Sequence, residues 1–305
     1  MKSGLIAIVG RPNAGKSTLV NALMESDLSI VSPKPQTTRD QIQLVYNDPK
    51  IGQIVFIDTP GLHRAKSGGI NESMVFQASL ALEDPDLVWY LFDPTSKIEH
   101  EEIVLEKICL AKKPVLLLAN KSDWAQKKHP VETSQKILAA QLEERLRTDG
   151  LLIATIYISG LKGIEVDAVL KKSWEQLKES PFLYPDVEQM SNRNTRYFVG
   201  ELIREQLFLQ TGEEIPYSCA VKVESYKSGP DRDDIQATIV VERESQKGMV
   251  IGQKGIKIKN LGIKAREKIE ALIEKKVFLG LKVSVDTNWT KKSDSLKALG
   301  YVLPK

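Results

Sequence analysis

Cysteine and histidine are scarce in this chain: two Cys, at 109 and 219, and three His, at 63, 100 and 129, among 305 residues. Both cysteines sit in apolar stretches of different segments, which suits buried small hydrophobes better than a disulfide. The histidines fall at no spacing that suggests a zinc site. No apolar run approaches the roughly 20 residues of a membrane span, and Met1-Lys2-Ser3-Gly4 leads into an apolar stretch without the pattern of a signal peptide. These absences predict a soluble, cytoplasmic protein. Net charge is small as well, +3, but unevenly spread. Residues 1–180 carry 22 Lys+Arg against 23 Asp+Glu, residues 181–305 carry 21 against 17, and residues 243–305 alone carry 15 against 6. A solvated helix face absorbs part of such a surplus. Its concentration in one segment points to a polyanionic partner, nucleic acid first.

What is present suffices for about two domains, with 42% apolar residues to build their cores. The apolar run Leu5-Ile6-Ala7-Ile8-Val9 precedes Gly10-Arg11-Pro12-Asn13-Ala14-Gly15-Lys16-Ser17, and Thr18 to Leu23 follows with helical character. A buried strand, a glycine loop and a helix are the setting that a phosphate-binding loop requires. Its glycines allow a tight turn that aims N–H groups inward, and the helix N-terminus adds partial positive charge where a polyphosphate would sit. Lys16 would reach the β- and γ-phosphates and the Ser17 hydroxyl would ligate Mg²⁺.

Strands and helices alternate through the first 180 residues. Gln41–Tyr46, Ile54–Ile57, Leu87–Phe92, Val115–Ala119 and Ile153–Ile158 read as strands, and Thr133–Leu146 and Gly163–Glu179 as helices. This alternation predicts an α/β fold with a mainly parallel sheet covered on both faces, its ligand loops at the strand C-termini. The segment Pro33–Asp40 is too polar and proline-rich for regular structure and reads as a loop. Asp58-Thr59-Pro60-Gly61 ends one strand, placing a carboxylate near Mg²⁺ and a glycine N–H near the γ-phosphate. Asn120-Lys121-Ser122-Asp123 follows another, and an Asp carboxylate there can accept both N–H groups of guanine, a pair that adenine lacks.

In this order and spacing the motifs resemble the nucleotide boxes of translation-factor-related GTPases. Ser159-Gly160-Leu161 falls where those proteins have a Ser-Ala-Lys or Ser-Ala-Leu turn beside the base; Gly160 keeps the backbone N–H of the alanine. The resemblance implies GTP and GDP as ligands and Thr38 as the loop threonine that closes on Mg²⁺, with Thr37 the neighbouring candidate. The position after Gly61, where many relatives carry a water-orienting glutamine, is Leu62, which can neither orient water nor stabilise charge. Asn13 resembles the asparagine that holds K⁺ in related proteins lacking the glutamine, K⁺ then lying where an arginine finger delivers positive charge; it also reads as a plain hydrogen-bonding loop residue. The catalytic set is thus Lys16, Asn13, Thr38 and Gly61, the metal set Ser17, Thr38 and Asp58. Nucleotide contacts are expected from Gly10 to Thr18, from Asp58 to Leu62, and from Asn120, Lys121, Asp123, Ser159 and Gly160.

Near residue 180 the character changes. Residues 181–193, with two prolines at 181 and 185, read as a linker between a first domain over 1–180 and a second over 194–305. A helix Asn194–Gln210, strands Tyr217–Tyr226 and Ile235–Arg243, a helix near Gln246–Ile251, Gly252-Gln253-Lys254-Gly255, a long helix Ile256–Glu274 and a strand Val277–Val285 follow. The order α-β-β-α-α-β with G-x-x-G between two helices is that of a type II KH domain, in which the glycines let an RNA backbone come close. Lys254, Lys257 and Lys259 surround that loop, Arg243 and Lys247 extend its basic edge, and Ile251 and Ile256 either wall a base-binding groove or pack in the helix core. Trp289, Leu296, Leu299 and Tyr301 read as a tail that packs on this domain.

The two domains together, with Gln36-Thr37-Thr38-Arg39, Glu214-Ile215-Pro216-Tyr217-Ser218, Val241 to Lys247 and the tail from Trp289 to Tyr301, resemble the Era family over almost the whole chain. That resemblance implies a GTPase that binds the 3′ end of small-subunit (16S) ribosomal RNA when GTP-loaded, acts in 30S assembly, works as a monomer and touches the membrane peripherally, although no amphipathic anchor is visible. Loop residues around Thr38 and Leu62–Gly69 would order on the γ-phosphate and relax after hydrolysis, altering the hold on RNA. A KH-like module that binds a protein, and an RNA-dependent ATPase, are the competing readings; Asn120 to Asp123 speaks against adenine.

Overall fold

The computed structural model describes the whole chain except residues 27, 33, 35, 64–68, 128, 213–214 and 305 and the side chains of 129 and 130. Pro33 and Pro35 of the expected loop, residues 64–68 of the segment Leu62–Gly69, and Glu214 therefore lie outside the described residues. The chain divides into two compact units. One comprises Met1–Ser29, Thr38–Ala65 and Met74–Asn192, the other Ile30–Thr37, Lys66–Ser73 and Arg193–Lys305.

The first unit follows the βα alternation: β1 (Lys2–Gly10), α1 (Lys16–Met24), β2 (Ile42–Asp48), β3 (Gly52–Asp58), α2 (Ile70–Leu80, whose first turn belongs to the second unit), β4 (Leu87–Phe92), α3 (Ile98–Ala111), β5 (Val115–Ala119), α4 (Ser122–Ala125), α5 (His129–Thr148), β6 (Leu152–Tyr157) and α6 (Val166–Gln176). The sheet runs β2-β3-β1-β4-β5-β6, parallel throughout except for β2, which pairs antiparallel with β3 through the short turn after Asp48. Residues of β3, β4 and β5 are buried on both faces, the pattern of strands covered by helices on either side. Strand order reverses at β1, between β3 and β4, and this is where ligands enter such sheets, at the strand C-termini.

Residues 181–192 are not a free linker. Val45 donates its N–H to the Met190 carbonyl (2.9 Å), Gln43 accepts from the Ser191 hydroxyl (2.7 Å), and Gln53 exchanges side-chain bonds with the Tyr184 backbone (2.8 and 2.9 Å). The outer edge of β2 has unpaired backbone groups, and this strap satisfies several of them. Its prolines argue against a regular strand, but edge pairing needs none.

The second unit contains α7 (Thr195–Gln210), α8 (Ile215–Ser218), β7 (Cys219–Ser228), β8 (Arg232–Val241), α9 (Glu244–Ile251), a single tight turn at Gln253–Gly255, α10 (Ile256–Ile273), β9 (Lys276–Val285) and α11 (Ser293–Ala298). Asn194 caps α7, its side-chain oxygen accepting from the Tyr197 N–H. β7 and β8 are antiparallel; β9 pairs parallel with β8 and forms the sheet's far edge. Val199, Ile203 and Leu207 from α7, which packs on β7, and Leu261, Ala265 and Ile269 from α10, which packs on β9, cover the sheet face that carries Val277, Leu279 and Leu281. On the opposite face Trp289, Leu296 and Tyr301 pack with Ala220 and Val240, with Leu299 against them, so the tail packs as its apolar residues suggested. Cys219 is buried, Cys109 half-buried, and both are free thiols.

Residues 30–37 belong to this unit. Lys34 donates to the Phe208 and Thr211 carbonyls (2.5 and 2.7 Å) at the negative end of the α7 dipole, and Arg204, 2% exposed, donates to the Thr37 carbonyl (2.6 Å).

Candidate nucleotide site and nucleic-acid interface

The loop from Gly10 to Ser17 sits between β1 and α1, as its sequence requires. Gly15 adopts φ +97°, and a Cβ there would lie 2.2 Å from the Asn120 side-chain nitrogen, so only glycine fits. Lys16 is 6% exposed and its ammonium donates to the Gly10 and Arg11 carbonyls (3.2 and 3.0 Å). Burial pulls its pKa down to about 8, with Asp58 opposing the shift. A buried ammonium held by loop carbonyls is the counterpart that an anion inside the loop would complete.

Ser17, Thr38 and Asp58 come together. The Ser17 hydroxyl donates to Asp58 Oδ2 (2.9 Å) and meets the Thr38 hydroxyl at 2.9 Å. Asp58 is fully buried, which raises its pKa from the usual carboxylate value, and its Oδ1 has no hydrogen-bond partner among the described residues. Two hydroxyls and an orphaned buried carboxylate oxygen are the donor set of a hard divalent cation, so the residues fit Mg²⁺. Gly61 approaches the loop so closely that a Cβ would lie 2.4 Å from the Pro12 nitrogen. The Thr59 hydroxyl is buried and donates to the Ile8 carbonyl (2.7 Å), anchoring this turn to β1.

Leu62 differs from its expected place among the nucleotide contacts. Its N–H donates to the Gly10 carbonyl (3.0 Å) and its side chain lies fully buried in the core between the sheet and α3 and α5. The apolar residue is drawn into the core, so this side chain does not face the phosphate loop.

On the base side, Asn120 is a brace. Its amide donates to the Ala14 carbonyl (2.7 Å) and accepts from the Gly160 N–H (3.0 Å), tying the phosphate loop to the turn after β6. Lys121, at φ +60°, donates to the Asn13 carbonyl (2.8 Å) and pairs with Asp93. Asp123 accepts from the Ser159 hydroxyl (2.6 Å), which holds its carboxylate beside the same turn. Asn13 is exposed at the loop's tip with φ +64°, and Thr18 lies half-buried in the first turn of α1.

In the second unit Gly252, Lys254 and Gly255 all have positive φ (71°, 50° and 75°), turning the chain sharply between α9 and α10. Gln253, Lys254, Lys257 and Lys259 are exposed around this turn, with Arg243 exposed and Lys247 half-buried on α9's side. Ile256 is 57% exposed and so is not core, while Ile251 is half-buried. An apolar groove of about 320 Å³ runs between α10 and the free edge of β9, lined by Ile258, Gly262, Ile263, Leu279 and Leu281, with Lys259, Arg266 and Phe278 at its borders.

Two family profiles match the chain: a 50S ribosome-binding GTPase over residues 5–121 and a KH domain over residues 214–290. GTPase Era of Ectopseudomonas mendocina is 38% identical over 301 residues, covering 99% of this chain and 97% of its own, and GTPase Era of Geotalea daltonii is 40% identical over 306 residues, covering 98% and 97%. The chain belongs to the Era GTPase family. It is a GTPase with a P-loop domain and a C-terminal KH domain. Among solved Era structures, a variant of Aquifex aeolicus Era bound to GDP·AlF₄⁻ superposes with a TM-score of 0.92 at 35% identity, over 99% of this chain and all of that one. Era in complex with MgGDPNP and nucleotides 1506–1542 of 16S ribosomal RNA gives 0.90 at 35% identity, over the same shares.

Seen as an Era protein, the chain has site residues that sequence reasoning missed, Tyr90, Asp93, Ser96 and Glu101, although it did name Arg11, which Ser96 supports. Arg11 donates to the Ser96 hydroxyl (3.1 Å), and Ser96 and Tyr90 both donate to the buried Glu101 carboxylate, bracing the phosphate loop from α3. Asp93, the partner of Lys121, directly follows β4; an acid ending a buried strand was a legible signal. The β9 wall of the Era KH groove was not legible, because Phe278, Leu279 and Leu281 meet α10 only through the packing of the sheet edge on the helix.

Proposed function

We propose that this GTPase is a switch whose KH groove holds the 3′ end of 16S ribosomal RNA in the GTP state during 30S assembly. The observation that carries this reading is the cationic, apolar-walled groove beside Gly252–Gly255, in a chain matched over 99% of its length by an Era solved with MgGDPNP and that RNA segment. Single-stranded RNA suits the groove: bases lie on apolar walls, the backbone passes the glycine turn, and Lys254, Lys257 and Lys259 stand ready for phosphates.

In the nucleotide site Lys16 offers charge to the β- and γ-phosphates, the Gly61 N–H meets the γ-phosphate, and Asp123 reads guanine. Ser17, Thr38 and Asp58 would hold Mg²⁺, which would supply positive charge to offset that of the phosphates. With Leu62 in the core, another group must serve the transition state, and K⁺ held at Asn13 is our assignment. Replacing Asn13 with Ala should abolish stimulation by K⁺ over Na⁺; normal hydrolysis in both salts would remove the K⁺ site. The same reading makes the protein a cytoplasmic monomer with 194–305 as its RNA-binding module. Peripheral membrane contact rests on the family resemblance alone; among the described residues no helix is long and apolar enough to cross a membrane.

The test is binding of the 16S 3′ fragment with a non-hydrolysable GTP analogue to wild type and Gly255→Asp. Space around Gly255 is open and Asp tolerates its left-handed backbone, so the fold should persist while the carboxylate repels the phosphodiester chain. Binding lost in the variant and present in wild type is expected. Equal binding by both would refute RNA recognition at this groove and turn attention to a protein ligand.

A further inference from the structure

The groove beside α10 ends on an aromatic residue for which the KH clamp itself has no use. Phe278 is 48% exposed, although it is the largest apolar side chain of β9 and its neighbours Val277 and Leu279 point into the core. It lines the groove on the strand side, with Arg266 on the helix side. The Arg232 guanidinium lies over its ring, 5.5 Å from the centroid, at the range of a stacked cation and ring. Arg232 keeps an ion pair with Asp234 at 3.3 Å, but both side chains are about half exposed and the pair is readily exchanged.

The position of Phe278 along the groove follows from topology. α10 begins at the glycine turn and β9 returns alongside it after a short connection, so the first residues of β9 lie beside the helix's later turns. From Ile256 to Arg266 the helix rises about 15 Å at roughly 1.5 Å per residue. Phe278 therefore lies at the end of the groove remote from Gly252–Gly255. A GXXG loop clamps about four nucleotides of backbone. A strand long enough to run on past that clamp reaches the sheet edge where the exposed Phe278 ring lies under the Arg232 guanidinium and Arg266 lines the groove from the helix.

We propose that Phe278, with Arg232 and Arg266, forms a stacking subsite for one additional RNA base at the far end of the groove. The ring supplies a flat face for a base, and the two arginines supply charge for the phosphates on either side of it. The subsite is tolerant of sequence, because every base has a π face, and favours a purine through its larger stacking area. It rests on the RNA reading above and extends that reading from a four-nucleotide clamp to a longer footprint.

The experiment uses the full chain and fragments of the 16S RNA 3′ terminus shortened one nucleotide at a time, each with 2-aminopurine at a single position. Wild type should gain roughly tenfold in affinity at the length where one base reaches Phe278, within the range of base–aromatic stacking. The 2-aminopurine at that position, and no other beyond the clamp, should be quenched. Phe278→Leu should lose both the gain and the quenching while binding the shortest fragments as wild type does, and Phe278→Trp should keep both. Thermal melting and GTP hydrolysis of the variants, which this residue does not touch, report whether the fold is intact. Equal length dependence in wild type and Phe278→Leu, or quenching that survives in that variant, overturns the subsite while leaving the RNA reading in place. If no fragment binds wild type, or Gly255→Asp binds them all equally, the RNA reading itself fails and the subsite with it.

Discussion

A lysine whose ammonium is enclosed by its own loop senses whether a phosphate is there to meet it. Burial lowers the Lys16 pKa to about 8 from 10.5. In the nucleotide-free fold the charged form is therefore disfavoured: the cost to stability is present in full below pH 8 and fades as pH rises toward 10.5, where folded and unfolded chains are equally deprotonated. A triphosphate favours the ammonium again, so between those values binding takes up a proton. GTP affinity should be flat from about pH 6.5 to about 8 and then fall by up to about tenfold per unit. A fluorescent GTP analogue titrated at several pH values reads this directly. Lys16→Arg should bind more weakly, without that slope, and a slope unchanged in the arginine variant would assign it to another group. Gly61 poses a geometric question at the same scale. An alanine Cβ would sit 2.4 Å from the Pro12 nitrogen, inside backbone that cannot yield. If the Gly61 N–H serves the γ-phosphate, Gly61→Ala should slow hydrolysis about 100-fold, the usual loss for one such donor, with GDP affinity little changed. An equal loss of GDP binding would mean that the substitution deforms the whole loop.

Elements were legible where the pattern was local. β4 and β5 coincide with the apolar runs Leu87–Phe92 and Val115–Ala119, because buried parallel strands are uninterrupted hydrophobic stretches bounded by polar loops. Motif positions at strand ends followed from the same boundaries. The strap over 181–192 was illegible because its bonds go to β2 and β3, more than a hundred residues away, and nothing periodic in it announces them. The strand wall of the KH groove was hidden for a similar reason, while the tail was readable from its spaced large apolar residues. Trp289 shows what that tail contributes. It is fully buried, stacks on Tyr301 at 6.0 Å and donates its indole N–H to the Ser218 carbonyl (2.9 Å). Trp289→Ala should destabilise the second unit by about 3–5 kcal/mol, the usual cost of emptying a buried aromatic site. Chemical denaturation would show this as an earlier transition with nucleotide affinity preserved. An unchanged midpoint would mean that the tail packs without supporting the sheet.

For the molecule as a whole, the informative place is one peptide bond. Thr37–Thr38 is one of the places at which the chain passes between its two compact units. On one side the Thr37 carbonyl accepts from Arg204, and Lys34 is held by the last carbonyls of α7. On the other the Thr38 hydroxyl meets Ser17 beside Asp58. Thr38, proposed above as a Mg²⁺ ligand, thus adjoins a residue anchored to the first helix of the second unit. Any shift of Thr38 on hydrolysis must be absorbed within this short segment or transmitted to α7. Coupling between two sites is reciprocal and commonly about 5- to 150-fold in affinity. If the segment transmits, wild type should bind the 16S fragment more tightly with the GTP analogue than with GDP by a factor in that range. The double variant Lys34→Met, Arg204→Gln should bring the two affinities together, with each ligand alone still bound. Calorimetry with both nucleotides decides it: a variant that keeps the wild-type difference would place the connection elsewhere in the chain, and a variant that loses RNA binding in both states would show that α7 supports the KH fold itself.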